Sequence, residues 1–333
     1  MQLNKIAGIL RDNDRFAVLS HINPDGDAVG SVLGMYVALK EMGKQAWPLT
    51  DEPLPDMYDF LPGCQDVLTN PSYQEIAPEW IICLDVASEK RTSVNIEKMP
   101  IKAGLINIDH HITNSCYGDV SLVDPQATST AELVYRVLKH IRHPLSIDVA
   151  KCLYTGLVTD TGCFRFSGVS QHTMRIAAEL LSPGLDSYQI TRHLYEEYPL
   201  HRMELERLLL SRVELKLDGI LAMSYLHYKE FQALGAAMSD GENLVDRLRE
   251  NRGVECGVLL TQVSDDTVRA SFRSKDLLDV SAVAAVFGGG GHRRAAGLRS
   301  KLPMEELKNK IILEVQKHWE KPCAAQPQAS IPE

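Results

Sequence analysis

Carboxylate and imidazole side chains gather at four points along this 333-residue chain. One group lies in SHINPDGDAVGS, directly after the apolar run FAVL, and the others follow WIICL, GLINI and KCLYTGLVT. If these groups were buried together without a partner, each charge would cost several kcal/mol, so the set predicts bound cations. The residues are His21, Asp25, Asp27, Asp85, Asp109, His110, His111 and Asp160.

The elements around these residues alternate between strands and helices. The predicted strands are FAVLS, WIICLDVAS and KAGLINIDHH, and the predicted helices are GSVLGMYVALKEMGK, STAELVYRVLKHI and SIDVAKCLYTGLVTDTG. Ser129 and Glu132 have the spacing of a capping box at the start of the second helix. Nearly continuous apolar strands between helices predict a parallel, Rossmann-like sheet covered on both faces. Ligands bind at the carboxyl ends of such strands, where we expect the acids and histidines to meet, with Asp160 arriving at the end of its helix.

Mixed aspartate and histidine ligation suits a borderline divalent ion such as Mn²⁺. An all-oxygen set would favour Mg²⁺ or Ca²⁺, and thiolates would favour Zn²⁺. The ligands outnumber what one ion needs, and two divalent ions would neutralise four carboxylates. A water between two ions about 3.5–4 Å apart becomes hydroxide near neutral pH and can attack phosphorus in line. We therefore expect a two-metal centre, with Mn²⁺ as the first candidate. The four carboxylates in question are Asp25, Asp27, Asp85 and Asp160.

Each of these segments also has a simpler interpretation when taken alone. Asp-Gly-Asp is a common turn sequence, and paired histidines are usually on the surface. LDVAS could carry the ribose-binding acid of a dinucleotide fold, but no G-x-G-x-x-G follows the first strand. The metal interpretation depends on the joint placement of all the segments at one sheet edge.

The pattern changes from about Ser182. We predict a charged helical bridge in HLYEEYPLHRMELERLLLSRVELK, a strand in ILAMSYLHY and a helix in GENLVDRLREN. VECGVLLTQVS and TVRASFRS read as a hairpin, followed by the helices DVSAVAAVF and MEELKNKIILEVQKHWEK. We expect a smaller α/β domain with a mixed sheet. The predicted boundaries are 1–182 for the first domain, 183–212 for a helical linker, 213–321 for the second domain and 322–333 for a disordered tail.

A second candidate site is FGGGGHRRAAG, residues 287–297. Glycines let a backbone approach an anion, and successive N–H groups can form an anion-binding nest. His292, Arg293 and Arg294 add cationic donors, and Arg273 in SFRSK could reach the same place. The alternative is a flexible loop. No G-x-x-x-x-G-K-[ST] occurs, so the loop is not a P-loop for ATP hydrolysis.

Composition limits the classes of function. The net charge of −9 argues against a large basic surface for nucleic acid, although a local cationic pocket remains compatible with it. No apolar run reaches the roughly 20 residues that span a bilayer, and charges interrupt the N-terminal segment where a signal peptide would be apolar. Seven scattered cysteines without a C-x-x-C predict reduced thiols. We expect a cytoplasmic protein with no membrane partner.

Taken together, the segments resemble a known family. HINPDGDAVGS, LDVAS, NIDHHITN and YTGLVTDTGCF are similar to the four motifs of the DHH phosphoesterases, and SFRSK with GGGGHRRAAG is similar to the DHH-associated C-terminal domain. The match covers nearly the whole chain in the family's order. It is strongest to the short bacterial branch, which comprises nanoRNases (oligoribonucleases) that also dephosphorylate 3′-phosphoadenosine-5′-phosphate, pAp.

The resemblance implies a role for each residue of the first site. His111 would lie beside the transferred phosphoryl group, binding it or protonating the leaving oxygen, and Asp109 would orient a histidine. The implied ligands are His21 and Asp25 for one manganese ion, Asp27, His110 and Asp160 for the other, and Asp85 as the bridge.

The resemblance also implies a substrate-binding set in the second domain. These residues would hold a phosphate end of the substrate across an interdomain cleft. They are Arg273, Ser274, Gly288, Gly289, Gly290, Gly291 and His292.

The first functional hypothesis is hydrolysis of short RNA or DNA oligonucleotides to mononucleotides and of pAp to AMP, with a homodimer as a further suggestion of the resemblance. A phosphodiesterase for linear dinucleotides (pApA or pGpG) in cyclic-dinucleotide turnover would need almost the same site. A manganese pyrophosphatase resembles only the N-terminal half, and a processive exonuclease of the RecJ kind would need more domains. A non-catalytic nucleotide-binding sensor and a purely structural polar network are the alternatives of another class.

Overall fold

The computed structural model describes residues 1–69, 76–100 and 103–320. The chain divides into two compact units, the first comprising Met1–Glu197 and the second beginning at Tyr198. This division falls inside the segment 183–212 that the sequence suggests as a linker. The predicted disordered tail and Cys323 lie outside the described residues. Among the residues described, no helix is both long and apolar enough to cross a membrane.

The first unit contains a six-stranded parallel sheet with the strand order β3-β2-β1-β4-β5-β6. The strands are β1 (Arg15–Leu19), β2 (Gln45–Thr50), β3 (Leu68–Thr69), β4 (Trp80–Leu84), β5 (Gly104–Asp109) and β6 (Val120–Val123). The helices are α1 (Gln2–Asp12), α2 (Gly26–Glu41), α3 (Thr130–His140), α4 (Ile147–Asp160), α5 (Gln171–Leu181) and α6 (Ser187–Tyr195). Buried apolar clusters lie on both faces of this sheet, as its nearly continuous apolar strands predict.

Glycines bring α2 and α4 close together, which places the end of α4 beside the start of α2. A Cβ at Gly30 would lie 2.5 Å from the Cys152 carbonyl oxygen and 2.7 Å from the Gly156 nitrogen. A Cβ at Gly156 would lie 2.7 Å from the Ala131 side chain and 2.9 Å from an oxygen of Asp27. Only glycine allows this approach, so the packing of the helices positions the acids that they carry.

The second unit contains a mixed six-stranded sheet with the order β11-β12-β10-β9-β8-β7. Its strands are β7 (Glu214–Lys216), β8 (Leu221–Leu226), β9 (Cys256–Ser264), β10 (Thr267–Ser274), β11 (Gly290–His292) and β12 (Ala295–Ser300). Its helices are α7 (Leu200–Ser211), α8 (Tyr228–Leu234), α9 (Asp246–Arg249), α10 (Val280–Ala285) and α11 (Met304–Glu320). The predicted fold class, a parallel-sheet domain plus a smaller α/β domain with a mixed sheet, is confirmed.

Three local predictions need correction. The predicted helical bridge is two helices, α6 and α7, and its last residues form β7. Pro199 separates the helices because proline lacks an N–H and disfavours helical backbone in the residue before it. The predicted helix GENLVDRLREN is helical only over α9. In the predicted capping box, Ser129 accepts from the Glu132 N–H, but the Glu132 carboxylate accepts from Thr128 instead.

Candidate active site

The strand order places β1, β4 and β5 side by side in the centre of the parallel sheet. His21, Asp85 and the Asp109–His111 segment follow the carboxyl ends of these three strands. Asp25 caps α2 by accepting from the Asp27 and Ala28 N–H groups, both at 3.1 Å. All eight candidate residues of the first unit therefore meet at one edge of the sheet, as expected for an open parallel sheet.

His21 faces two carboxylates. Its Nε2 atom lies 3.5 Å from Asp85 Oδ2 and 4.0 Å from Asp25 Oδ1. Its Nδ1 atom donates to the Ile22 carbonyl oxygen at 2.8 Å, because a carbonyl can only accept. This bond fixes the tautomer and directs Nε2 toward the acids, the arrangement that metal-binding histidines commonly show.

His110 faces three carboxylates in the same manner. Its Nε2 atom lies 3.4 Å from Asp160 Oδ2, 3.6 Å from Asp85 Oδ1 and 3.9 Å from Asp27 Oδ2. Its Nδ1 atom donates to the Ala127 carbonyl oxygen at 3.3 Å. The two oxygens of Asp85 thus face different histidines, which places this carboxylate between the two sets of ligand atoms.

The N-terminus of α3 supports the buried acids. The N–H groups of Thr130 and Ala131 donate to the two oxygens of Asp27 at 2.6 and 2.9 Å. The Thr130 hydroxyl donates to Asp85 Oδ1 at 2.9 Å. Sequence reasoning found the helix start but missed this role. The signal was available, because a helix N-terminus offers unpaired N–H groups and favours an anion.

A buried polar network supports His111. Its Nδ1 atom lies 2.7 Å from Asp109 Oδ1, and the Asn114 amide donates to Asp109 Oδ2 at 2.5 Å. The same amide lies 2.9 Å from Asn107 Oδ1. The sequence interpretation assigned Asn107 and Asn114 no role, although both belong to the segment NIDHHITN. The structure places Asn114 where it fixes the Asp109 carboxylate, which in turn orients the imidazole.

We expect N114A to lower kcat by about 10–100-fold with little change in KM, because losing an outer hydrogen-bond partner typically has an effect of this size. Steady-state kinetics at saturating metal will measure both constants. N95A is a matched control, since Asn95 caps a surface turn in the same unit. A rise in KM with unchanged kcat would show that Asn114 contributes to substrate binding rather than to orienting His111.

The crowded acids perturb one another. Burial, followed by the charges of Asp85 and Asp160, raises the pKa of Asp27 well above its usual range. Burial also raises the pKa of Asp160 to about 7, against the opposing effect of His110. For Asp85, burial would raise the pKa, but the hydrogen bond with His21 and the neighbouring imidazoles hold it well below the usual range.

The histidines respond in the opposite sense. Burial lowers the pKa of His21, but the hydrogen bond to Asp85 and the charge of Asp25 outweigh it and raise the pKa to about 9. The pKa of His111 is raised as well, because the bond to Asp109 outweighs burial. Without bound cations, protons held on the histidines and on the acids with raised pKa values therefore compensate the negative charge of the site.

The donor atoms fit divalent metal ions. Three groups of ligand atoms within the first unit have all their members within 4.8 Å of one another. Cations would replace the protons that otherwise compensate the acids, and His21 and His110 both have the fixed tautomer that ligation needs. The three groups are His21 with Asp25 and Asp85, Asp27 with His110 and Asp160, and Asp85 with Asp109 and His111.

The second unit brings Arg273 and His292 to one face of its sheet. Ala295 of β12 pairs with Arg273 of β10 on one side and with His292 of β11 on the other. Directly opposed residues point to the same face, so these two side chains share a row. Ser274 points to the other face, where it is fully buried and its hydroxyl donates to the Leu278 carbonyl at 2.8 Å.

The glycine segment differs from the loop that the sequence suggests. Gly290 and Gly291 belong to β11, and the N–H groups of Gly288 and Gly289 donate to carbonyls of α10. A Cβ at Gly289 would lie 2.3 Å from the Gly297 carbonyl oxygen. These glycines therefore serve close strand packing, and the amides of Gly288 and Gly289 do not form the predicted nest. Substrate binding by this segment and by Ser274 stays a prediction.

Comparison with known proteins identifies the family. Residues 15–157 match the DHH family, N-terminal domain, and residues 223–319 match the DHHA1 domain. The chain is 31% identical over 296 residues to the bifunctional oligoribonuclease and PAP phosphatase NrnA of Thermus thermophilus, covering 89% of this chain and 87% of that protein. The chain belongs to the DHH family. The resemblance drawn from its motifs is thereby confirmed.

Two further relatives support the membership of this DHH protein. The bifunctional oligoribonuclease and PAP phosphatase NrnA of Bacillus subtilis is 30% identical, covering 85% of this chain and 88% of that protein. A crystal structure of an exopolyphosphatase-related protein from Bacteroides fragilis is 29% identical and has a TM-score of 0.87, covering 95% and 96% of the two chains. As a DHH phosphoesterase, the protein is a hydrolase acting on phosphoester bonds.

Proposed function

We propose that this DHH protein hydrolyses short oligonucleotides to mononucleotides and removes the 3′-phosphate of pAp to give AMP. The reaction would use two divalent ions, with Mn²⁺ as the first candidate. The observation that carries the proposal is Asp85, whose two oxygens face two separate sets of aspartate and histidine ligand atoms. The relatives of similar length named as oligoribonucleases and PAP phosphatases support the choice of substrates.

The chain supplies two ligand sets joined by one carboxylate. His21 and Asp25 would hold one ion, and Asp85 would contact both. When bound, such ions supply positive charge to phosphoryl oxygens and lower the pKa of water. The other ion would be held by Asp27, His110 and Asp160.

His111 is placed to move a proton. Asp109 accepts from its Nδ1 atom, so Nε2 is the nitrogen that would carry a proton toward the leaving oxygen. The hydrogen bond to Asp109 raises the pKa of His111, which favours the protonated imidazole that this role needs. Asp109 and Asn114 act by orienting the imidazole.

Arg273 and His292 would bind a phosphate that does not react. Binding energy at such a phosphate helps to position the scissile bond, and truncated substrates then lose turnover. One bound phosphate and one reacting phosphate would fix a length along the substrate. This fixed length would favour short ligands in a protein of net charge −9.

The test is a product-resolved assay with Mn²⁺ on an RNA dinucleotide, a five-mer, a 20-mer and pAp. We expect mononucleotides from the two short RNAs, AMP from pAp and much slower cleavage of the 20-mer. Cleavage confined to the dinucleotide would replace the proposal by turnover of linear dinucleotides. Absence of cleavage from all four would contradict both hydrolytic proposals.

A further inference from the structure

The face of the second sheet that carries Arg273 is covered on one half and open on the other. Leu259 of β9 pairs with Ser271 of β10 and packs in a cluster with Leu205, Leu209 and Leu248, residues of α7 and α9. The corresponding face of β10 and β12 carries polar and small residues and belongs to no apolar cluster among the described residues.

This open half is organised in three rows across the strands. The first row is Arg273, Ala295 and His292, the second is Ser271, Gly297 and Gly290, and the third is Arg269 and Arg299. The middle row offers almost no side-chain bulk, and nothing lies within 4 Å of a Cβ built at Gly290. A ligand chain can therefore lie against the backbone between two cationic rows.

The third row places like charges directly opposite each other. Arg269 and Arg299 are Cα partners in the antiparallel pair of β10 and β12. Opposed like charges destabilise a sheet, and a bound anion between the two side chains would offset their repulsion. Glu242 lies 3.4 Å from Arg269 Nη1, whereas Arg299 is exposed and forms no ion pair with the carboxylates in the described part of the chain.

The two cationic rows have a spacing suited to a chain of phosphates. Arg273 lies four residue steps after Arg269 on β10, a distance of about 14 Å along the strand. Arg249 adds positive charge beside the first row, where Asp246 lies 3.0 Å from Arg249 and 3.8 Å from Arg273. In the described part of the chain, this face carries the arginines Arg249, Arg269, Arg273 and Arg299, and ion pairs link them to Asp246 and Glu242. The concentration of positive charge stands out in a chain with a net charge of −9.

We propose that Arg269 and Arg299 form a second phosphate-binding row for the backbone of oligonucleotides longer than a dinucleotide. This inference rests on the proposed oligonucleotide hydrolysis and names the length-dependent part of the substrate. The row of Arg273 and His292 holds one phosphate, the middle row leaves room for the connecting nucleotide, and the third row holds a phosphate further along.

The test compares R269Q, R299Q and the double variant with the wild-type enzyme, loaded with Mn²⁺. We expect each single change to lower kcat/KM for the RNA five-mer by roughly fivefold and to leave the dinucleotide and pAp unchanged. The slope of log kcat/KM against log salt for the five-mer should become shallower by about 1 per arginine removed. R299Q is decisive, because it breaks no ion pair of the described residues.

K310Q is the matched control. Lys310 lies on α11, which packs on the other face of the sheet, and its loss removes one surface charge there. Equal five-mer kinetics and salt slope for wild type, R299Q and the double variant would overturn the phosphate row. Failure of the proposed function looks different, since the wild-type enzyme would then leave the five-mer uncleaved, with or without cleavage of the dinucleotide. In that case, calorimetric titration of the five-mer into the same proteins decides, and equal affinities would overturn the row.

Discussion

D85N will lower turnover by about 1,000-fold or more while the protein stays folded. Asp85 is 2% exposed, and its two oxygens face His21 on one side and His110 and His111 on the other. Asparagine keeps the volume but removes the charge and one anionic oxygen. Both ligand sets lose their shared member, so no other single substitution is expected to affect both ions as directly.

The backbone makes asparagine the right replacement. Asp85 has a φ of 60°, in the left-handed region that asparagine tolerates and alanine does not. D85A would add backbone strain to the loss of the ligand, whereas D85N isolates the ligand. Initial rates with pAp and the five-mer, together with calorimetric titration of Mn²⁺, measure the two consequences separately.

D148N is the control for this variant. Asp148 is an exposed residue in the first turn of α4, the helix that carries Asp160 at its other end. Its loss removes a favourable contact with the helix dipole of at most about 1 kcal/mol and should leave turnover intact. If D85N kept more than a tenth of wild-type turnover, Asp85 would not be the bridge between two ions.

In the first unit, the sequence was sufficient for the strands β1, β4 and β5, the helices α2, α3 and α4, and the edge where they converge, but not for the strands β2, β3 and β6. Continuous apolar strands predict a parallel sheet, and a parallel sheet sends the residues after β1, β4 and β5 to one edge. The positions of His21, Asp85 and His110 therefore follow from local pattern and one topological rule.

The contacts that the sequence did not reveal join distant residues. The Thr130 N–H reaches an Asp27 oxygen across 103 positions, and this contact depends on how α3 packs against α2. The three rows of the second sheet depend on the register of β10, β11 and β12, which turn geometry sets. The break between α6 and α7 was predictable from Pro199, because proline interrupts a helix. The pattern of charged residues alone had suggested one continuous helix across this position.

Removing the metal will steepen the loss of stability with rising pH. In the chelated protein, we expect the unfolding temperature of the first unit to fall by about 5–10 °C between pH 6 and pH 8. With metal held at about 100 times its Kd at pH 8, the unfolding temperature should rise by a similar amount at pH 8 and by less at pH 6. Ligands must lose protons to bind the ion, which makes metal binding stronger at the higher pH.

The sign of the first effect follows from two groups with raised pKa values. Asp160 has a folded pKa of about 7, so between its ordinary value of 3.8 and 7 the folded state holds a proton that the unfolded state has released. The stability that His21 contributes is complete below 6.5 and is lost as the pH rises through about 9. Both effects lower stability with rising pH. Asp85 has a lowered pKa, and its contribution is lost only in acid, below the range tested.

Differential scanning calorimetry of the chelated and Mn²⁺-loaded protein at pH 6, 7 and 8 measures both effects. D160N removes one of the groups with a raised pKa, so its chelated form should show a clearly smaller fall in unfolding temperature, whereas D148N should behave as the wild type does. A chelated wild-type protein that gained stability between pH 6 and pH 8 would show that the acids are already compensated without metal. The electrostatic argument for the two-ion centre would then be wrong, because the crowding of buried carboxylates is what makes the ions necessary.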